Sequence, residues 1–286
     1  MKSPFILENE TEYKNWRQTK LELYPLNINK FSIPLDINNF QKKDLDLIKF
    51  NMNKYNFALY NFKSELTNNE LENFCTMLNL NNSISNLFSD SKNISDIKDH
   101  KDTNNNQIGE YIPYTNKPLN WHTDGYYYPL NNSVKSFLLH CVNPAHRGGE
   151  NLLLDHEILY ILIRDHNPSY IKILMENNIM GIPRNKNNAE STNINGPVFF
   201  IDDEYSLNMR FTSRQQNIVW KKSDIIDKIK KFIFNFVESD TKYITKILLK
   251  KNQGYIANNI LHKREKFFDN KNKRLLKRIR FSKKLK

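Results

Sequence analysis

Glycine is nearly missing from this sequence, at 7 residues in 286. Few positions can therefore take a left-handed backbone without steric cost, and neither a Walker loop nor a dinucleotide-binding fingerprint is present. Cysteine is scarcer still. Cys75 and Cys141 are too few for a disulfide framework, and no CxxC or Cys/His spacing of the zinc-binding kind surrounds them, so a reducing compartment fits. No window approaches the ~18 consecutive apolar residues of a membrane span, and residues 1–20 lack the apolar stretch of a signal peptide. We expect a soluble, cytoplasmic protein with no membrane partner. No fixed-period repeat and no Gly/Ser/Pro-rich linker divides the chain. Neither Ser213 nor Cys141 has an adjacent base in a recognisable arrangement, which argues against a nucleophilic hydrolase.

What the chain has is apolar and aromatic mass. Hydrophobic residues make up 39 % and aromatics 12 %, with 18 Phe and 14 Tyr, enough to bury a real core and leave the disorder class. The formal charge of +12, from 43 Lys and Arg against 31 Asp and Glu, could mark a nucleic-acid partner or an anionic small substrate. A nucleic-acid footprint should be clustered. Lys, Asn and Ile are instead abundant along the whole chain, as AT-rich coding would produce, so a nucleic-acid partner is the weaker reading. The one dense cluster is KNKRLLKRIRFSKKLK (271–286), whose last residues read as a solvated basic end.

Length and patterning predict a single domain over 1–286, with a helical and extended region over 1–109 packed on a β core over 110–281. The segment 66–80, LTNNELENFCTMLNL, reads as a helix in which Thr67 and Glu70 have capping-box spacing. The polar stretch 89–107 reads as a surface loop with His100 exposed on it. From there strand-like runs dominate: GEYIPY (109–114), SFLLHCV (136–142), GPVFFID (196–202), YIANNILHKR (255–264) and RLLKRIRF (274–281). Helical spacing of apolar residues recurs at 156–166 and 223–240. The expected fold is mainly β, an antiparallel barrel or jelly-roll with flanking helices.

The segment NWHTDGYYYP (120–129) carries the chemistry. In an extended strand His122 and Asp124 project from one face, and an imidazole and a carboxylate so placed, joined by a distant second imidazole, form the facial triad of non-haem iron(II) oxygenases. His262, in NNILHKR, lies on a late apolar strand. Arg274, twelve residues on at the start of the next strand, could come close to it. Charge arithmetic asks for such a cation: Fe²⁺ with one carboxylate ligand keeps +1, so a bound dianion leaves −1 on a partly buried complex. A guanidinium gripping the far carboxylate would offset that.

Taken together, WHTDGYY, the PxxxGGEN stretch at 144–151, the NNILHKR strand and the KRLLKRIR end resemble the taurine dioxygenase-like (TauD/TfdA) family of Fe(II)/2-oxoglutarate-dependent oxygenases, over about 110–281. The resemblance implies a distorted double-stranded β-helix of the clavaminate synthase-like kind. It places His122, Asp124 and His262 on iron, and Arg274 on the distal carboxylate of 2-oxoglutarate. Where family members usually have Thr after the Gly-Gly-acid turn this chain has Asn151, whose amide can still donate a hydrogen bond. The family's second terminal arginine matches Arg278, near the anionic group of the substrate. Because Asp124 is present, the resemblance implies a hydroxylating rather than a halogenating site, with iron(II), 2-oxoglutarate and O2 as the reactants beside the main substrate.

Tyr126, Tyr127 and Tyr128 follow the metal motif, and Tyr126 is a candidate substrate contact. Arg210 and Arg214 could also meet an anion, and Arg210, nested among apolar neighbours, is the better candidate. His140 reads as a core histidine; His146, His156 and His166 receive no role. The function expected is hydroxylation of a small anionic metabolite. The alternatives are the same chemistry on a nucleic acid or protein, or a non-catalytic metal-binding jelly-roll. The sequence is compatible with a homo-oligomer.

Overall fold

The computed structural model describes residues 3–86, 88–100, 111–183 and 193–286. The chain gathers into two compact units, each built from separated stretches: Met1–Leu26, Asn120–Ser133 and Leu154–Ile244 in one, Asn27–Leu119, Val134–Leu153 and Thr245–Lys286 in the other.

In the second unit a six-stranded sheet runs in the order Ile33–Leu35, Phe57–Phe62, Gln253–Ala257, Ser136–Asn143, Leu275–Phe281, Ser95–Ile97. Only the pairing of Ile33–Leu35 with Phe57–Phe62 is parallel. Alternation of side chains across the sheet gives it two characters. One face presents Ala58, Tyr60, Phe62, Leu138, Ile256, Ile279 and Phe281, which join Ile48 and Met52 of the helix Lys42–Tyr55 and Leu71, Phe74 and Cys75 of the helix Asn68–Met77 in a single apolar cluster. The i, i+3 and i, i+4 spacing of those helical residues puts each set on one stripe. Thr67 and Glu70 close the expected capping box, Thr67 Oγ1 accepting from the Glu70 N–H at 3.2 Å and Glu70 Oε2 accepting from the Thr67 N–H at 2.8 Å. Gly254 is required there, since a Cβ would lie 2.3 Å from the Tyr60 hydroxyl and 2.5 Å from the Leu139 carbonyl. The other face carries Phe137, Leu139 and Cys141, register partners of Arg280, Arg278 and Leu276. In the same unit Thr245–Ile247, Asn151–Leu154 and Leu261–Arg264 lie side by side in a second sheet.

The first unit holds the helices Glu10–Leu21, His156–His166, Pro168–Leu174 and Asp224–Val237. Its N-terminal helix is fastened to His156–His166 by polar contacts: Lys20 Nζ lies 2.7 Å from Asp155 and 2.6 Å from Glu157, and Arg17 and the Tyr13 hydroxyl both bond Asp165. Burial raises the Asp155 carboxyl to about 6 against the opposing pull of Lys20. Removing one partner of a buried ion pair costs about 3–5 kcal/mol. Lys20→Met should therefore lower the unfolding free energy extrapolated from urea titration by that order at pH 7.5. The loss should shrink near pH 5: a carboxyl whose folded pKa is raised contributes stability at low pH that disappears as pH rises through that value.

Several strands differ from the sequence expectation. Residues 112–114 form a 3₁₀ turn rather than a strand, with Pro113 in its first positions; Gly109 and Glu110 lie outside the described residues. The polar stretch contributes an edge strand, Ser95–Ile97, while 101–107 lie outside the described residues. His100 is half-buried rather than exposed, its ring 5.9 Å from that of Tyr114. Pro197, which cannot donate to a ladder, separates Ile194–Gly196 from Phe199–Ile201. The run 255–264 breaks at Asn258 and Asn259, the latter at φ +48, into Gln253–Ala257 and Leu261–Arg264. The basic end is not simply solvated. Lys284 and Leu285 are buried, and the Leu285 backbone exchanges hydrogen bonds with the Asn258 side chain at 3.0 and 3.1 Å. Among the described residues no helix is long and apolar enough to cross a membrane.

Candidate active site

His122 ends the strand Leu119–His122, and Asp124 opens the turn that follows instead of extending the strand. Between them Thr123 is pinned to Phe211: its N–H donates to the Phe211 carbonyl at 3.0 Å and its Oγ1 accepts from the Phe211 N–H at 3.1 Å. Gly125, at φ +67, lets the chain turn away. The outcome is a buried pair in which His122 Nε2 lies 3.8 Å from Asp124 Oδ1.

His262 sits on Leu261–Arg264, with its ring 4.8 Å from that of Phe137. Its Nδ1 faces the Ile260 carbonyl at 3.0 Å, as His122 Nδ1 faces the Asn120 carbonyl at 2.8 Å. A carbonyl only accepts, so both rings carry the proton on Nδ1 and direct the Nε2 lone pair outward, the tautomer a metal ligand needs. His122 and Asp124 thus offer an imidazole nitrogen and a carboxylate oxygen from one turn, and His262, on a strand of the other unit, offers an imidazole nitrogen in the same tautomer.

A small pocket opens among Arg274, Asn151, Gly149, Cys141 and Leu249. Arg274 is 3 % exposed, and burial lowers its guanidinium to about 10. Its NH1 and the Asn151 Nδ2 are buried with no hydrogen-bond partner. Two unsatisfied donors in one cavity call for an acceptor, and a carboxylate offers only acceptors. Gly149, at φ +83, keeps the approach tight: a Cβ there would be 3.2 Å from Phe267 Cβ and 3.5 Å from Arg274 Nε. Two residues beyond His262, Arg264 is also buried, donating to the carbonyls of Pro113 and Thr115 at 3.1 and 2.8 Å and to that of Lys117. Burial and, secondarily, the nearby Arg274 charge lower it to about 9.

Of the remaining candidates, Arg278 is buried on the last strand opposite Leu139. Tyr126 is half-buried with its ring 6.4 Å from that of His122, whereas Tyr127 is exposed. Arg210 is occupied otherwise: NH1 donates to the Met180 carbonyl at 2.8 Å and NH2 to that of Ile194 at 3.0 Å. Its apolar setting marks a strand-joining residue, and we drop it as a substrate contact. His140 is a core residue as expected, stacked on Tyr60 and lowered to about 4 by burial. Sequence reasoning missed Arg264, Phe267 and Phe137. Arg264 closes the NNILHKR run and Phe267 lies three residues beyond it, yet neither residue type at that spacing from His262 marks a role by itself.

The chain belongs to the taurine catabolism dioxygenase TauD, TfdA family, whose pattern it matches over residues 34–280. It is 29 % identical over 164 residues to a uridine-5'-phosphate dioxygenase of a Streptomyces species, covering 54 % of this chain and 58 % of that protein. A second uridine-5'-phosphate dioxygenase, from an Amycolatopsis species, is 29 % identical over 99 residues, 33 % of this chain and 34 % of that one. The matched stretches thus span between one third and three fifths of these relatives. Among solved structures, AAD-2 in complex with Mn(II) and N-oxalylglycine superposes with a TM-score of 0.62 at 12 % identity, over 90 % of this chain and 97 % of that one. A taurine dioxygenase from Burkholderia xenovorans gives 0.60 at 11 % identity over 87 % of each chain, and asparagine oxygenase 0.59 at 12 % over 84 % and 77 %. At such identities the likeness shows the fold, the double-stranded β-helix with added helices.

Proposed function

We propose that the protein is an iron(II)- and 2-oxoglutarate-dependent dioxygenase that hydroxylates a small anionic metabolite and releases succinate and CO2. The observation that carries this reading is the donor set: a buried His122–Asp124 pair whose imidazole nitrogen and carboxylate oxygen lie 3.8 Å apart, and two imidazoles, His122 and His262, each held in the ligating tautomer. Two nitrogens and one oxygen suit ferrous iron and leave coordination positions for other ligands. When bound, iron with 2-oxoglutarate and O2 supplies the oxidising power to functionalise an unactivated C–H bond.

The chain's own residues orient and shield. His122, Asp124 and His262 would hold the metal, and the Asn120 and Ile260 carbonyls keep both imidazoles in the ligating tautomer. Arg274 and Asn151 would grip the distal carboxylate of 2-oxoglutarate, which fixes its orientation and satisfies donors that are otherwise stranded. Arg278 and Tyr126 are the proposed contacts to the main substrate. The names of the two curated relatives support a phosphate-bearing substrate, since both act on uridine 5'-phosphate. An arginine suits either a carboxylate or a phosphate.

The purified protein with Fe(II) and 2-oxoglutarate in air should release succinate slowly on its own. A panel of nucleoside monophosphates, amino acids and sulfonates should contain at least one compound that accelerates the release several-fold and gains one oxygen atom by mass spectrometry. Absence of any 2-oxoglutarate consumption, alone and across that panel, would reject the proposal.

A further inference from the structure

Phe267 is fully buried on the short strand Phe267–Phe268, which pairs with Arg147–Gly148 in the register Phe267↔Gly148. Its N–H donates to the Asn116 carbonyl at 3.2 Å. Two guanidinium groups lie against its ring, the Arg264 carbon 5.0 Å and the Arg274 carbon 4.8 Å from the centroid. Both distances fall inside the ~6 Å range in which a ring attracts a cation.

The two arginines are not equivalent. Arg264 donates to three backbone carbonyls, whereas Arg274 keeps NH1 buried and unsatisfied in the cavity it shares with Asn151. The Arg274 backbone is anchored, its N–H donating to Asp269 Oδ1 at 3.0 Å. That bond does not orient the guanidinium at the end of a flexible stem. The ring lies against the guanidinium itself, and Gly149 allows the facing loop to come within reach of both.

We infer that Phe267 is a positioning residue for the cosubstrate: its ring holds the Arg274 guanidinium so that NH1 points into the cavity ready for a carboxylate, and Arg264 holds the ring's surroundings in place. The inference rests on the reading of that cavity as the 2-oxoglutarate site. Without the ring, Arg274 keeps its charge but loses its orientation, and the loss should fall only on ligands with a distal carboxylate. Arginine donors grip a carboxylate in a geometric fork, so misalignment costs binding that a freely oriented charge would keep.

The test uses the full-length protein loaded with Mn(II) in place of iron, titrated calorimetrically with 2-oxoglutarate and with 2-oxopentanoate, which lacks the distal carboxylate. Phe267→Leu should weaken 2-oxoglutarate about tenfold, equivalent to about 1.4 kcal/mol, and leave the affinity for 2-oxopentanoate and for Mn(II) unchanged. Phe267→Met, which keeps more of the side-chain bulk while removing the ring face, should behave the same way and carries the comparison if the leucine variant folds poorly. An unchanged 2-oxoglutarate affinity, or equal losses for both acids, overturns the positioning role while leaving the cosubstrate site intact. A wild-type protein that fails to prefer 2-oxoglutarate over 2-oxopentanoate rejects the cosubstrate site itself, and the role of Phe267 falls with it.

Discussion

His122→Ala should reduce Fe(II) affinity by at least about 10²-fold and abolish succinate release, because losing even a residue that merely supports a metal ligand typically costs 10–100-fold. The size of the effect follows from the geometry. His122 Nε2 and Asp124 Oδ1 lie 3.8 Å apart on a turn held by Thr123 and Phe211, so the two donors form a rigid pair that a single ion could join. Removing the imidazole leaves a carboxylate and one imidazole, a set too poor to retain a divalent ion against water. Asp124→Asn makes the complementary case, since it keeps the shape and withdraws the charge. It should weaken the metal, though less than His122→Ala, as an amide oxygen can still coordinate. The measurement is Fe(II) titration under anaerobic conditions, followed by the visible absorption that 2-oxoglutarate adds on binding iron. If both the titration and the absorption in His122→Ala match the wild type, the metal assignment is wrong. Circular dichroism separates this from unfolding, because the His122 side chain lies outside the apolar cluster that holds the six-stranded sheet to its helices.

The close pairing of His122 with Asp124 was legible because their spacing is local. His122 and Asp124 are two apart, and any ordered backbone that turns between them keeps their side chains close. The capping box at Thr67 was legible for the same reason, as both partners lie within one turn of helix. Strand boundaries were less visible, since an apolar run carries no mark of where a chain turns a corner. The run 255–264 reads as continuous, yet Asn259 adopts a positive φ and splits it, an option asparagine takes more readily than other non-glycine residues. The docking of Leu285 onto Asn258 was hidden because both bonds use the backbone of a residue whose neighbours are all basic. Arg210 shows the opposite failure. An arginine among apolar residues suggests a ligand, but the carbonyls it satisfies belong to Met180 and Ile194, which no local pattern places beside it.

Arg274→Met separates cosubstrate recognition from folding. Hydrogen bonds to a charged group are each worth about 1.5–3 kcal/mol when a buried partner depends on them, so losing the guanidinium should raise the KM for 2-oxoglutarate by about 10²-fold. At saturating 2-oxoglutarate kcat should fall far less, because in the proposed role Arg274 would grip the end of the cosubstrate remote from the metal. Stability should move in the other direction. Arg274 is buried, burial has lowered its guanidinium to about 10, and NH1 has no partner. A base whose folded pKa is depressed costs stability while it is charged, which at neutral pH it is. Methionine removes that charge, fills much of the same volume and can place its sulfur against the Phe267 ring. The thermal midpoint of the protein without ligands should therefore stay level or rise, while the protection given by saturating 2-oxoglutarate disappears. Such a division between a more stable protein and a weaker site identifies a residue kept for its ligand. A KM that does not change, or a midpoint that falls together with 2-oxoglutarate affinity, would instead make Arg274 a structural element of the strand that begins at Leu275.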